Sequence, residues 1–111
     1  MAEIKIKVTY ADDNDWLALH IKPTEDETPA CEMSECETLD GWIAIRLEGG
    51  LATLDLNPGK YLYRYEAGDT AENDIEVEIK QGTDVILPLT ITIGSGGGVF
   101  GCDLFRVWSE S

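Results

Sequence analysis

Long apolar runs are missing from this sequence, and so are most of the side chains that grip nucleic acid. No stretch reaches the roughly eighteen consecutive apolar residues of a membrane-spanning helix, so no such helix is expected. Lys and Arg number 8 against 22 Asp and Glu, giving a net charge of −14. A chain so poor in cations is not expected to bind nucleic-acid phosphates directly, because that binding uses clustered Lys and Arg. The same imbalance suits a basic protein partner, cation binding, mimicry of nucleic acid by an acidic phage-type inhibitor, or plain solubility in water or in a high-salt habitat.

Histidine is almost absent as well. His20 is the sole imidazole, and no nucleophile elbow or Cys–His signature accompanies it, so the parts of a catalytic triad are not in view. Carboxylates are so plentiful that their pairing is no sign of glycosidase chemistry. The sequence therefore points to a chain that is not an enzyme. Cysteine is scarce and odd in number, at three. Cys31 and Cys36 flank Glu32-Met33-Ser34-Glu35, and Cys102 stands far away. Structural zinc takes four ligands, so this pair would need Cys102 and His20 brought in by the fold. A local Cys31–Cys36 disulfide is the alternative in an oxidising compartment, and free thiols are expected in the cytoplasm. The opening Met1-Ala2-Glu3-Ile4-Lys5 runs straight into a strand pattern, without the basic and apolar regions of a signal peptide. That favours a cytoplasmic or phage-associated protein, or a mature secreted domain begun with a new Met1.

What the sequence does contain is alternation. At 111 residues it has room for one domain. Residues 3–10 place Ile4, Ile6, Val8 and Tyr10 on one face and Glu3, Lys5, Lys7 and Thr9 on the other, the signature of a half-buried strand. Further strands are expected at 16–22, 41–48, 51–56, 61–67, 74–80, 84–93 and 99–108, with turns at Gly49-Gly50, Asn57-Pro58-Gly59-Lys60 and Gln81-Gly82-Thr83. Residues 23–40 read as an irregular acidic loop with a short helical turn near Ala30–Cys36, and 94–98 as a Gly-rich loop. Pro88 marks 84–93 as an edge strand or a bulge. Short strands at this spacing predict an all-β fold, a single antiparallel β-sandwich of about eight strands over residues 1–111, transthyretin-like or immunoglobulin-like.

The stretch Leu54-Asp55-Leu56-Asn57-Pro58-Gly59-Lys60-Tyr61-Leu62-Tyr63 resembles a feature of transthyretin-like and carboxypeptidase-regulatory-like β-sandwich modules. In them an apolar strand meets a Pro-Gly turn and a Tyr-bearing strand. An alternating strand, a turn and a strongly apolar strand follow, here Ile75–Lys80, Gln81-Gly82-Thr83 and Val85–Ile93. The resemblance covers about residues 51–93. It implies a sandwich fold and a non-enzymatic accessory or binding role, and it brings no ligand or catalytic residue with it.

Three surfaces stand out as candidate sites. Asp12, Asp13 and Asp15 form a run of hard oxygen ligands of the kind calcium takes. In an up-and-down strand order the loops after the first, third, fifth and seventh strands share one end, which would bring Asp69, Glu72, Asn73 and Asp74 to them; otherwise these acids only cap turns and face water. The acidic loop, with Glu25, Asp26, Glu27, Glu32 and Glu35, would steer a basic protein partner or remain a solvated loop. Tyr61, Tyr63 and Tyr65 are expected to point into the core, with Leu62, Arg64 and Glu66 outward. Trp42 shares its face with Ala44 and Arg46 and is expected to be partly exposed, whereas Trp16, opening its strand on the face of Ala18 and His20, is ambiguous. The apolar strand 84–93 leaves an edge that needs cover, which allows a homo-oligomer or docking into a larger assembly. These observations favour a non-catalytic binding or assembly module without a cofactor. The alternatives are an acidic inhibitor of nucleic-acid enzymes and a calcium- or carbohydrate-binding module.

Overall fold

The computed structural model describes residues 2–10, 16–25, 42–68, 73–94 and 98–109. Eight strands follow one another: β1 (Ala2–Thr9), β2 (Trp16–Pro23), β3 (Ile43–Ala44), β4 (Leu51–Leu56), β5 (Gly59–Gly68), β6 (Asn73–Gln81), β7 (Asp84–Ile93) and β8 (Gly98–Val107). They form two antiparallel sheets of four, β4-β1-β6-β7 and β3-β2-β5-β8. The expected all-β sandwich is the fold. Among the described residues no helix is long and apolar enough to cross a membrane.

Alternation explains the packing. In β1 every second residue is buried, from Ala2 through Ile4 and Ile6 to Val8, while Glu3, Lys5, Lys7 and Thr9 face water. Ile75, Val77 and Ile79 of β6 and Ile91 and Ile93 of β7 continue the same buried layer. The facing layer comes from Leu19 and Ile21, Tyr61, Tyr63 and Ala67, and Phe105 and Val107. Its aromatic centre is a chain of contacts. Tyr61 stacks on Phe105 at 5.6 Å, Tyr63 tilts against Phe105 at 6.1 Å, and Tyr63 stacks on Tyr65 at 6.4 Å. The tyrosine stripe is therefore core, as its alternation indicated. Offset and tilted ring pairs add to the burial of their area.

Two expectations need correction, and the strand order, which the sequence left open, is not the up-and-down one, because β5 sits between β2 and β8 while β6 sits between β1 and β7. The strand ends nonetheless gather much as that simpler order implied. Trp16 pairs with Gly68 and Gly68 with Gly98 in one sheet. In the other, Asn73 pairs with Ile93, and the Val8 N–H donates to the Gly50 carbonyl at 2.7 Å. Gly50 has φ +77°, and a Cβ there would lie 2.5 Å from the Val8 carbonyl oxygen, so only glycine fits.

The expected strand at 41–48 shrinks to Ile43–Ala44 and an isolated Glu48–Leu51 bridge. Ile43, placed on the inward phase, is 42% exposed because this short strand lies at the open edge of β2. The expected outward face of β5 is not all outward either. Leu62 and Arg64 are buried along with Tyr61 and Tyr63, and the Arg64 guanidinium lies 5.0 Å from the Trp42 ring.

Candidate interaction surface

The outer face of the β3-β2-β5-β8 sheet is built from the even-numbered residues of β2, β5 and β8. Across the ladder they align as Trp16–Gly68–Gly98, Ala18–Glu66–Phe100, His20–Arg64–Cys102 and Lys22–Leu62–Leu104. The lower part of this face is sheltered. Lys22 Nζ lies 4.8 Å and the Arg64 guanidinium 5.0 Å from the Trp42 ring, so two of the chain's few cations share one indole. His20, beside Arg64, has its pKa lowered from the usual 6.5, first by burial and then by the Arg64 charge. Both causes disfavour the imidazolium.

The upper part is open. Trp16 is 47% exposed and Phe100 is 59% exposed, in neighbouring rows of one face. The Trp16 indole rests on Gly68, where an added Cβ would fall 2.6 Å from the indole nitrogen. A glycine at the centre of the row thus gives the ring a flat bed. Tryptophan is enriched at protein interfaces, where large aromatic rings bury much apolar area.

A second surface lies around the β4–β5 turn. A shallow depression of about 570 Å³ is lined by Pro23, Glu25, Pro58, Lys60, Tyr61 and Arg106 among others. Lys60 Nζ donates to the Glu25 carbonyl at 3.1 Å, and the Tyr61 hydroxyl donates to the Asn57 carbonyl at 2.7 Å. Arg106 lies 5.3 Å from the ring of the exposed Trp108.

Of the residues singled out as calcium ligands, Asp74 is exposed near the start of β6, opposite Thr92; Asp12, Asp13, Asp15 and Asp69, like Glu72, lie outside the described residues. Among the described residues no group of three or more His, Cys, Asp or Glu is placed to hold a metal ion. Of the acidic-loop residues, Glu25 is exposed and uses its backbone carbonyl on Lys60. Asp26, Glu27, Glu32 and Glu35 lie outside the described residues, as do Cys31 and Cys36. Cys102 is disulfide-bonded, so it is not the free thiol expected of a cytoplasmic protein.

Trp16, ambiguous in the sequence, is exposed on the face it shares with Ala18 and His20. Phe100 was not singled out, although it also sits on an even, outward position of its strand. The bed under Trp16 had no local signal, because Gly68 meets Trp16 only through the β2–β5 register. No protein-family model, curated protein or solved structure matches the chain.

Proposed function

We propose that this chain is a non-catalytic β-sandwich module that docks onto a basic protein partner through the open part of the β3-β2-β5-β8 sheet. The observation that carries this reading is the exposure of both Trp16 and Phe100 on one face of the sheet, on the two strands that flank β5. Their burial supplies the central apolar contact that an interface needs. The net charge of −14 supports a partner of opposite sign, drawn in by long-range attraction.

Immobilised wild-type protein and a variant carrying Trp16→Ser and Phe100→Ser test the proposal in parallel captures from the same extract. A basic protein held by the wild type, lost from the variant and weakened by salt, is the expected result. Identical captures from both proteins overturn it. A sugar polymer retained by the wild type and lost from the variant would instead support a carbohydrate-binding module, since the Trp16 indole on its glycine bed also suits stacking on a sugar ring.

A further inference from the structure

The outer face of the other sheet, β4-β1-β6-β7, gathers scarce cations. The register aligns Thr53–Lys5–Lys80 in one row and Leu51–Lys7–Glu78 in the next. Three of the 8 Lys and Arg residues of a chain of net charge −14 therefore stand together. Lys5 and Lys80 are direct cross-strand partners, and like charges in that position destabilise a sheet. Each finds an acid on its own strand. Lys5 Nζ lies 3.8 Å from Glu3, with side chains 66% and 62% exposed, and Lys80 Nζ lies 3.2 Å from Glu78. Exposed pairs of this kind hold weakly. Glu78 also stands opposite Lys7, so the two rows carry three ammonium groups against one carboxylate. Acids border them, Glu3 opposite Asp55 on one side and Glu76 on the other.

A groove of about 330 Å³ is lined by Lys5, Lys7, Leu51, Thr53, Glu78 and Lys80 among others. Leu51 is 57% exposed there, and lysine stems are apolar up to their charged ends. The geometry points to a small organic anion as the occupant, a carboxylate on a short apolar tail, with its charge shared by Lys5 and Lys80 and its tail against Leu51. Charge complementarity selects the head. One carboxylate between two opposed ammonium groups gains a charged hydrogen bond from each and offsets their repulsion. Exposed leucine and lysine stems select the tail, since a bare inorganic anion leaves that apolar surface in water. The volume lies near the lower end of the roughly 300–1,000 Å³ of small-molecule sites, which keeps the tail short. The bordering acids confine the positive field to two rows, so an extended polyanion would be repelled wherever it overran them. Trp16 and Phe100 belong to the other sheet, so this site stands apart from the docking surface.

Backbone-amide NMR titrations of the full chain with hexanoate, hexanamide and acetate, at constant ionic strength, test the inference. Hexanoate is expected to give saturable shifts at Lys5, Lys7, Thr53 and Lys80. Hexanamide lacks the charge and acetate the tail, and each is expected to bind at least about tenfold more weakly. Lys5→Gln with Lys80→Gln is expected to weaken hexanoate by about tenfold or more. Lys60→Gln with Arg106→Gln changes the net charge by the same amount and is expected to leave hexanoate binding unchanged. Thermal melts confirm that each variant is folded. Absence of saturable shifts with hexanoate overturns the inference. So does hexanamide or acetate binding as tightly, or an equal loss in the two double variants, which would mean that only the general field of the chain is felt. The Trp16→Ser, Phe100→Ser variant is expected to bind hexanoate as the wild type does, so the failure of one reading leaves the other standing.

Discussion

Gln81 grips the backbone of Trp108 with both ends of its side-chain amide. Its Nε2 donates to the Trp108 carbonyl at 2.7 Å, and its Oε1 accepts from the Trp108 N–H at 2.9 Å. Gln81 closes β6 in one sheet and Trp108 follows β8 in the other, so the amide works as a rung of ladder between the two layers. Gln81→Ala removes both bonds and is expected to cost about 1–2 kcal/mol, with each bond partly replaced by water. Gln81→Glu keeps the acceptor and turns the donor into a second carboxylate oxygen facing a carbonyl, so it is expected to cost at least as much. Urea unfolding midpoints of the two variants check the order.

Gly68 offers a way to separate docking from stability. A methyl group there would sit 2.6–2.9 Å from the Nε1, Cε2 and Cζ2 atoms of Trp16, and the indole would have to leave its bed. The ring is half exposed, so moving it loses little burial. Gly68→Ala is expected to change stability by less than about 1 kcal/mol. Partner capture is expected to fall as far as it does with Trp16→Ser. A variant that melts like the wild type and also captures like it would remove Trp16 from the interface.

Cys102 is disulfide-bonded, and the sequence has only three cysteines. A thiol assay on unfolded, unreduced protein is therefore expected to find one thiol per chain, rising to three after reduction. Peptide mapping would identify the cysteine bonded to Cys102. Reduction is expected to lower stability by about 2–4 kcal/mol, the usual loss when a disulfide is broken. Three reactive thiols before reduction would contradict the bond.

Much of the fold is legible in single strands, because strand periodicity is a local property. The Ile4–Ile6–Val8 and Ile75–Val77–Ile79 series declare their faces without any knowledge of their neighbours. Pro88 identified an edge, and β7 is one. The sheet order was not legible, since nothing in β5 says that β6 will cross to the other layer. Nor was the burial of Leu62 and Arg64, the latter lying by Trp42, which comes from outside its own strand. The candidate surface was half legible for the same reason. The face that Trp16 shares with Ala18 and His20 follows from its own strand, whereas its bed at Gly68 and the presence of Phe100 on the same face follow only from the registers of β2, β5 and β8.

Tyr63 ties the aromatic core to pH. Burial, then the charges of Asp103 and Tyr65, push its hydroxyl from the usual 10.0 up to about 12. A raised pKa means that the folded protein holds the proton more tightly than the unfolded chain does. That stability is fully present below pH 10 and drains away as the pH climbs towards 12, where the unfolded chain has already given up its proton. The loss amounts to about 2–3 kcal/mol once both states are deprotonated. Tyr63→Phe keeps the ring that stacks on Tyr65 and meets Phe105, and it removes the proton. Wild type and variant are expected to unfold at similar denaturant concentrations near neutral pH and to diverge above pH 10, with the variant falling less steeply. Parallel alkaline profiles would mean that Tyr63 ionises in the folded protein as readily as in the unfolded chain, and that its burial in the Tyr61–Phe105–Tyr63 cluster does not resist its charge.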